Sequence, residues 1–148
     1  MIHAKELRFG NKVMTSQGEV ITIQQILSSS LIYDTQIKVN REVANIRGSY
    51  SSTYTTQVIE EVKEVDLHDV MPIELNADIL TKCGFRNYIR EEWIFGTGKT
   101  YIDFEFTEEG LRLRQPIPSR VSIKYFHQLQ NFLYSLIGFE LDAEVAAE

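Results

Sequence analysis

Residues 93–113, WIFGTGKTYIDFEFTEEGLRL, carry the pattern that decides the fold. Apolar side chains recur at every second position on either side of two glycine-containing turns, at 96–99 and 107–110. Such alternation is typical of strands with one buried face, and short turns join neighbouring strands in an antiparallel arrangement. We therefore predict a three-stranded antiparallel meander over residues 86–115.

The two turns also predict which residues lie opposite one another. The first turn places Phe95 opposite Thr100, Trp93 opposite Ile102 and Ile89 opposite Phe106. The second turn places Phe106 opposite Leu111, Phe104 opposite Leu113, Glu105 opposite Arg112 and Asp103 opposite Arg114. In this register the apolar side chains share one face and opposite charges meet on the other.

An amphipathic helix follows the meander. It is predicted to begin between Ser122 and Lys124 and to end at Ile137, with Gly138 as its C-terminal cap. At 100° per residue, seven apolar residues fall on one arc, wide enough to cover the apolar face of the meander. They are Tyr125, Phe126, Leu129, Phe132, Leu133, Leu136 and Ile137.

A short helix is predicted before the meander, at Ala77–Cys83. Asn76 offers a side-chain oxygen to the free N–H groups of its first turn, and Gly84 ends it in a left-handed conformation. Residues 73–141 thus form an αβββα subdomain. The acidic tail at 142–148 has too little apolar surface to pack and is expected to fray.

Residues 1–72 are predicted to form a small antiparallel β-barrel, of the SH3-like kind. Strands are indicated at 9–15, 20–27, 31–33 and 37–39. The polar stretch at 48–56, GSYSSTYTT, is interpreted as an exposed loop. Residues 57–69 stay unassigned, because their valines fit a helical spacing while their β-branching favours a strand. The overall fold class is α+β.

Composition narrows the function. The chain has 148 residues, 43% of them apolar, with a formal net charge of −6. An acidic chain disfavours general binding to nucleic acid, and no apolar run is long enough for a membrane span or a signal peptide. We expect a cytoplasmic protein. A single cysteine, Cys83, excludes an intramolecular disulfide and a thiolate-cluster zinc site.

The candidate reactive motifs favour ordinary structural interpretations. The segment Gly96–Thr100, GTGKT, lacks the further glycine of a phosphate-binding loop and continues as a strand, so a hairpin is predicted. Cys83 is placed at a helix C-terminus, where the helix dipole disfavours a thiolate. Asp66, His68 and Asp69 are predicted to form a solvated acidic turn rather than a metal site. We predict no catalytic, cofactor-binding or metal-binding residue and no enzymatic activity.

Two surfaces remain as candidates. The first is an anion- or nucleic-acid-binding surface at Arg112, Arg114, Arg120 and Lys124, from a block that contains no carboxylate; the predicted register already pairs Arg112 and Arg114 with acidic residues. The second is a partner surface on the polar side of the last helix, at Lys124, His127, Gln128 and Asn131. Amides are cheaper to desolvate than ions, which suits a face that is covered part of the time. Alternatively, water or the N-terminal subdomain of the same chain covers this face.

Residues 124–141, KYFHQLQNFLYSLIGFEL, resemble the C-terminal signature, a YxHQLQN helix, of an uncharacterised family of small bacterial and prophage proteins. The segments Glu6–Asn11 and Pro72–Leu75, and LTKCGF at 80–85, resemble its opening strand and its central proline turn and helix. The resemblance implies no activity and no catalytic residue; it implies a phage or mobile-element accessory protein. The predicted function is a non-enzymatic protein–protein interaction or structural accessory module, with weak nucleic-acid binding as the alternative.

Overall fold

The computed structural model describes residues 2–43, 53–97, 100–115, 118 and 120–142, and in them the protein is mostly β-strand with two helices. The strands are β1 (Lys12–Thr15), β2 (Val20–Ile26), β3 (Ser30–Val43), β4 (Thr53–Asp66), β5 (Val70–Met71), β6 (Arg86–Ile89), β7 (Glu92–Thr97), β8 (Thr100–Thr107) and β9 (Gly110–Gln115). The helices are α1 (Ala77–Lys82) and α2 (Phe126–Ile137), and short 3₁₀ turns lie at Ala4–Glu6 and Leu67–Asp69. The predicted α+β class is confirmed. No helix of the described residues is long and apolar enough to cross a membrane.

The N-terminal strands form a five-stranded antiparallel sheet in the order β4-β3-β2-β1-β5. Its core consists of eight buried side chains: Ile2, Leu7, Val13, Ile21, Ile23, Leu31, Tyr33 and Val70. Within the described residues the sheet does not close, because β4 and β5 are its two edges, so the SH3-like barrel is not confirmed.

The strand prediction was incomplete between residues 30 and 66. The predicted strands at 31–33 and 37–39 are parts of one strand, β3, and the unassigned residues 57–66 belong to β4. Thr53–Thr56 also lie in β4, so the predicted loop at 48–56 is wrong there, while its residues 48–52 lie outside the described part of the chain. Pairing with β3 explains the difference, because a strand of threonine and valine is stabilised by a partner that the local sequence does not reveal.

The C-terminal sheet has four strands in the order β6-β7-β8-β9, rather than the three predicted. Arg90, at φ 51°, makes a turn that divides the first expected strand into β6 and β7. The hairpin of β7 and β8 is confirmed, but its strands pair as far as Thr97 and Thr100, which places Phe95 opposite Ile102. This register differs from the predicted one by two residues. An even shift keeps each side chain on its predicted face, so the apolar face is unchanged.

The second hairpin of this sheet matches the prediction in three pairs out of four. Phe106 lies opposite Leu111, Phe104 opposite Leu113 and Glu105 opposite Arg112. Asp103 lies opposite Gln115 rather than Arg114, because the register shifts between Asp103 and Phe104. An irregularity of this kind admits an extra residue on one strand and moves the following pairs.

Both helices pack where the sequence predicts. Asn76 accepts a hydrogen bond from the Ile79 N–H at 2.8 Å, and Gly84 is left-handed at φ 89°, although α1 ends at Lys82 with Cys83 as its cap. Helix α2 ends at Ile137 with Gly138 as its cap, as predicted, but begins at Phe126. It begins late because Ile123 pairs with Leu111 on β9, in an isolated bridge with both N···O distances 2.8 Å.

The second core lies between the four-stranded sheet, α1 and α2, and its largest fully buried side chains include Phe85, Phe104, Phe126, Leu129 and Leu133. The two cores separate along the chain between Val70 and Ile73. The subdomain boundary at residue 72 stays a prediction. The predicted tail lies outside the described residues apart from Asp142, whose carboxylate lies 2.9 Å from the Lys12 ammonium.

Candidate functional site

The part of the polar face of α2 around Asn131 is covered by the N-terminal segment of the same chain. The Asn131 side-chain oxygen accepts hydrogen bonds from Arg8 Nε at 2.7 Å and from Asn11 Nδ2 at 2.9 Å. Its Nδ2 donates to the Glu6 carbonyl at 2.8 Å. Asn131 therefore fits the alternative in which the N-terminal subdomain of the same chain covers this face.

His127, another residue of the predicted partner surface, is only 1% exposed. Its ring stacks on Tyr125 with 6.0 Å between the ring centroids, and its Nε2 lies 3.8 Å from Glu6 Oε2. Neither ring nitrogen has a hydrogen-bond partner among the described residues. Burial lowers the pKa of the imidazole, and the Glu6 carboxylate partly opposes this effect. A side chain so deeply buried is not on an open surface.

Lys124 and Gln128 lie at the start of α2. The Gln128 side-chain oxygen accepts from the backbone N–H groups of Lys124 and Tyr125, at 3.1 and 3.3 Å, and so caps the helix. Lys124 is exposed, and its carbonyl accepts from the Leu75 N–H at 2.9 Å. The structure therefore separates the four residues of the predicted partner surface into a capping pair and a covered pair; their contact with a partner stays a prediction.

The basic residues do not line one groove. Arg112 lies between Glu109, its ion-pair partner, and Ser122, whose hydroxyl accepts from Arg112 Nε at 2.8 Å. Arg114 forms an ion pair with Glu92, which raises the pKa of the guanidinium through a hydrogen bond and through its charge. Arg120 is exposed. The groove lined by Arg112 and Arg114 also contains Glu105, whereas Lys124 lines a different one.

The groove beside Lys124 is open and has a volume of about 690 Å³. Its charged side chains are Glu74, Glu91, Glu108 and Lys124, and all of them are exposed. Catalytic pockets usually combine apolar walls with a few convergent buried polar groups, whereas these charges face water. We interpret this groove as solvated surface.

The candidate reactive residues are held in structural roles. Asp66, in the predicted acidic turn, accepts a hydrogen bond from the His68 N–H at 2.9 Å, and no set of three potential ligands in the described residues could hold a metal ion. Cys83 is buried, which raises the pKa of its thiol to about 12, despite the opposing charge of Lys12. Burial is the dominant cause, whereas the sequence suggested the helix dipole.

The most unusual feature of the described chain is the hairpin of β3 and β4. Strand β2 pairs with β3 at Leu31, Ile32 and Tyr33. Beyond that point, and within the described part of the chain, β3 and β4 pair with each other alone, in ten consecutive pairs from Asp34–Val62 to Val43–Thr53. We call residues 34–43 and 53–62 the arm. At about 3.4 Å per residue, the arm extends roughly 30 Å from the sheet.

Sequence reasoning missed the arm, although a signal for it was present. Residues 53–65 contain Thr, Tyr, Val and Ile at most positions outside the charged run, a composition typical of strands. The local pattern did not reveal that β3 and β4 would pair without a third strand. No family model matches this chain, and comparisons with curated proteins and with solved structures found no match.

Proposed function

We propose that this protein is a non-enzymatic protein–protein interaction or structural accessory module and that the arm is its docking element. The observation that carries the proposal is the row of ten β3–β4 pairs with no third strand beside them in the described chain. The phage or mobile-element setting is part of the proposal and rests on the resemblance of residues 124–141 and of the segments at 6–11, 72–75 and 80–85.

The energetics of a two-stranded ribbon support a docking role. A β-hairpin that packs on nothing is only marginally stable in water, and its two outer edges present unpaired N–H and C=O groups. Many proteins blunt such edges with short strands or cover them, yet β4 runs for 14 residues at the edge of its sheet. Pairing with a partner chain would supply the missing hydrogen bonds and bury surface on both sides.

Charge favours a protein partner over nucleic acid. The arm contains Lys38 and Arg41 against Asp34, Glu42, Glu60 and Glu61, a formal net charge of −2. Phosphate contacts require a basic surface, and the two arginines of the basic block on β9 are engaged by carboxylates. The alternative, weak nucleic-acid binding, depends on Arg120 and Lys124.

An arm-deleted variant tests the proposal. The Tyr33–Lys63 pair can be closed by Asn-Gly in place of residues 34–62, because a two-residue turn of this type joins antiparallel strands. We expect the far-UV circular dichroism spectrum to lose the strand signal of the arm and to keep the helical signal, and we expect unfolding to stay cooperative. Immobilised wild-type protein should capture a discrete partner from nuclease-treated bacterial lysate, and the arm-deleted variant should lose it.

The exposed helix position Ser135 provides a matched control, since Ser135→Glu should capture the same partner as wild type. Capture that persists without the arm would refute the assigned docking element. Capture that disappears on nuclease treatment would favour the nucleic-acid alternative.

A further inference from the structure

At the base of the arm, no strand of the described residues pairs with the outer edge of β4, and the hydrogen bonds define which of its backbone groups point outward. The Leu67 N–H donates to the Ser29 carbonyl at 2.9 Å, and these residues are one step beyond Ser30–Asp66, the last pair of the β3–β4 register. Hydrogen-bonded and non-hydrogen-bonded pairs alternate along an antiparallel ladder. Lys63 is therefore bonded to Tyr33, whereas the N–H and C=O groups of Val62 and Glu64 point away from β3.

The solvent face of this edge carries acidic side chains around the exposed Val62. Val62 is 69% exposed, with Asp34 opposite it on β3 and Glu64 two residues along on β4. Asp66 follows on the same face, because alternate residues of a strand share a face. Ser30 and Ile32 complete the face on β3. Among the described positions of this face, 30, 32, 34, 62, 64 and 66, three carry exposed carboxylates and none is basic, because Lys63 lies on the opposite face.

We propose, building on the proposed function, that an extended, lysine- or arginine-rich segment of a partner protein adds to the outer edge of β4 as a further strand. Backbone groups of the segment pair with Val62 and Glu64, as in other β-strand additions. Its basic side chains, at alternate positions, lie beside Asp34, Glu64 and Asp66, and their aliphatic stems cover Val62.

A second copy of this chain is the less suitable occupant. Pairing two β4 edges would bring together two segments that each contain Glu60, Glu61, Glu64 and Asp66 against the single Lys63. Like charges placed opposite each other destabilise strand pairing, and charged residues are a common protection of edge strands against self-association. The same charges attract a basic segment.

The binding test uses a short capped peptide that alternates Lys with Val and Thr, with fluorescence anisotropy as the readout. A peptide of the same design with Glu in place of Lys is the charge control. The Lys peptide should bind wild type at least about tenfold more tightly than the Glu peptide, and its affinity should fall as salt is raised. Equal binding of the two peptides would overturn the proposed recognition of basic residues.

Backbone pairing is tested separately at Val62. Val62→Pro removes an outward-pointing N–H and should weaken binding about tenfold or more, whereas Val62→Thr keeps the N–H and should bind within about threefold of wild type. A Lys peptide N-methylated at alternate amides makes the same test without changing the protein. Undiminished binding of the methylated peptide to wild type, or of the Lys peptide to a folded Val62→Pro variant, would overturn strand addition.

The two proposals fail in different ways. If the Lys peptide does not bind wild type while the arm-deleted variant still loses its natural partner, strand addition by a basic segment is wrong and the docking role of the arm stands. If the arm-deleted variant keeps its partner, the docking role is wrong whatever the peptide does.

Discussion

Two neighbouring polar side chains of α2, His127 and Gln130, are buried to the same extent but bonded very differently. The Gln130 side chain accepts from the Lys12 N–H at 2.9 Å and donates to the carbonyls of Gly10 and Leu141, at 3.1 and 3.0 Å. The His127 ring makes no hydrogen bond within the part of the chain that the structure describes. A buried polar group stabilises a fold only when it is satisfied, so we expect opposite consequences from replacing the two.

Replacing His127 should change how stability depends on pH. Burial lowers the pKa of His127 below its usual 6.5 in the folded state, so the unfolded chain takes up a proton more readily. This residue's contribution is therefore retained above pH 6.5 and lost as the pH falls below it. In urea unfolding at pH 7.5 and 5.5, His127→Phe should lose less stability on acidification than wild type. An identical loss in both proteins would show that His127 does not titrate across folding.

Replacing Gln130 should be costly at neutral pH. Gln130→Met fills a similar volume but removes the hydrogen bonds to the Lys12 N–H and to the Gly10 and Leu141 carbonyls, at a cost of about 2–4 kcal/mol for the combined loss. Thermal and urea unfolding measure the change. Ser135→Ala on the exposed side of α2 is the control and should stay within about 0.5 kcal/mol of wild type. A Gln130→Met variant as stable as the control would contradict this role.

Adjacent residues of strand β4 should respond differently to proline, because their backbone N–H groups point in opposite directions. The Lys63 N–H points toward β3 and the Val62 N–H points away, as derived above from the Leu67–Ser29 bond. Lys63→Pro should lower stability by about 2–4 kcal/mol through the lost ladder bond, whereas Val62→Pro should cost about 1 kcal/mol or less. Urea unfolding measures the stability of the two variants. A larger loss for Val62→Pro than for Lys63→Pro would show that the assigned N–H directions are wrong.

The sequence predicted elements whose signals are local and missed those that depend on distant partners. The end of α2 at Gly138, the cap at Asn76 and the apolar face of the β7–β9 meander follow from neighbouring residues, and all were predicted. The start of α2 was misplaced because Ile123 pairs with Leu111 on another strand. The sequence predicts that a partner, water or the N-terminal subdomain covers the amide face of α2. Only the fold shows that Arg8 and Asn11 contact Asn131.

At the scale of the whole molecule, the N-terminal segment joins the two cores through polar contacts on α2. Arg8 donates to Asn131 and to the Gln130 carbonyl, forms an ion pair with Glu140, and lies 4.4 Å from the Tyr134 ring centroid. Contacts of this kind orient one sheet relative to the other, since hydrogen bonds and ion pairs are directional while apolar contacts are not.

The net charge of the molecule sets its expected behaviour toward nucleic acid. The formal charge is −6, and Arg112 and Arg114 are engaged by carboxylates. We therefore expect a Kd for random DNA or RNA of about 10⁻⁴ M or weaker near physiological salt. Fluorescence anisotropy with labelled oligonucleotides measures this. Submicromolar binding at that salt concentration would place nucleic acid ahead of protein as the partner.

The arm also bears on how such a protein can change over evolutionary time. The pairs that hold β3 and β4 to the sheet lie near Leu31 and Val65, at the end of the hairpin farthest from the arm's tip. Inserting or deleting two residues in each strand of the arm preserves both the side-chain faces and the alternation of its backbone bonds, and the entropic cost of a longer connection grows only slowly. Arm length can therefore vary in such steps among descendants of one ancestor, altering reach toward a partner while both cores stay the same.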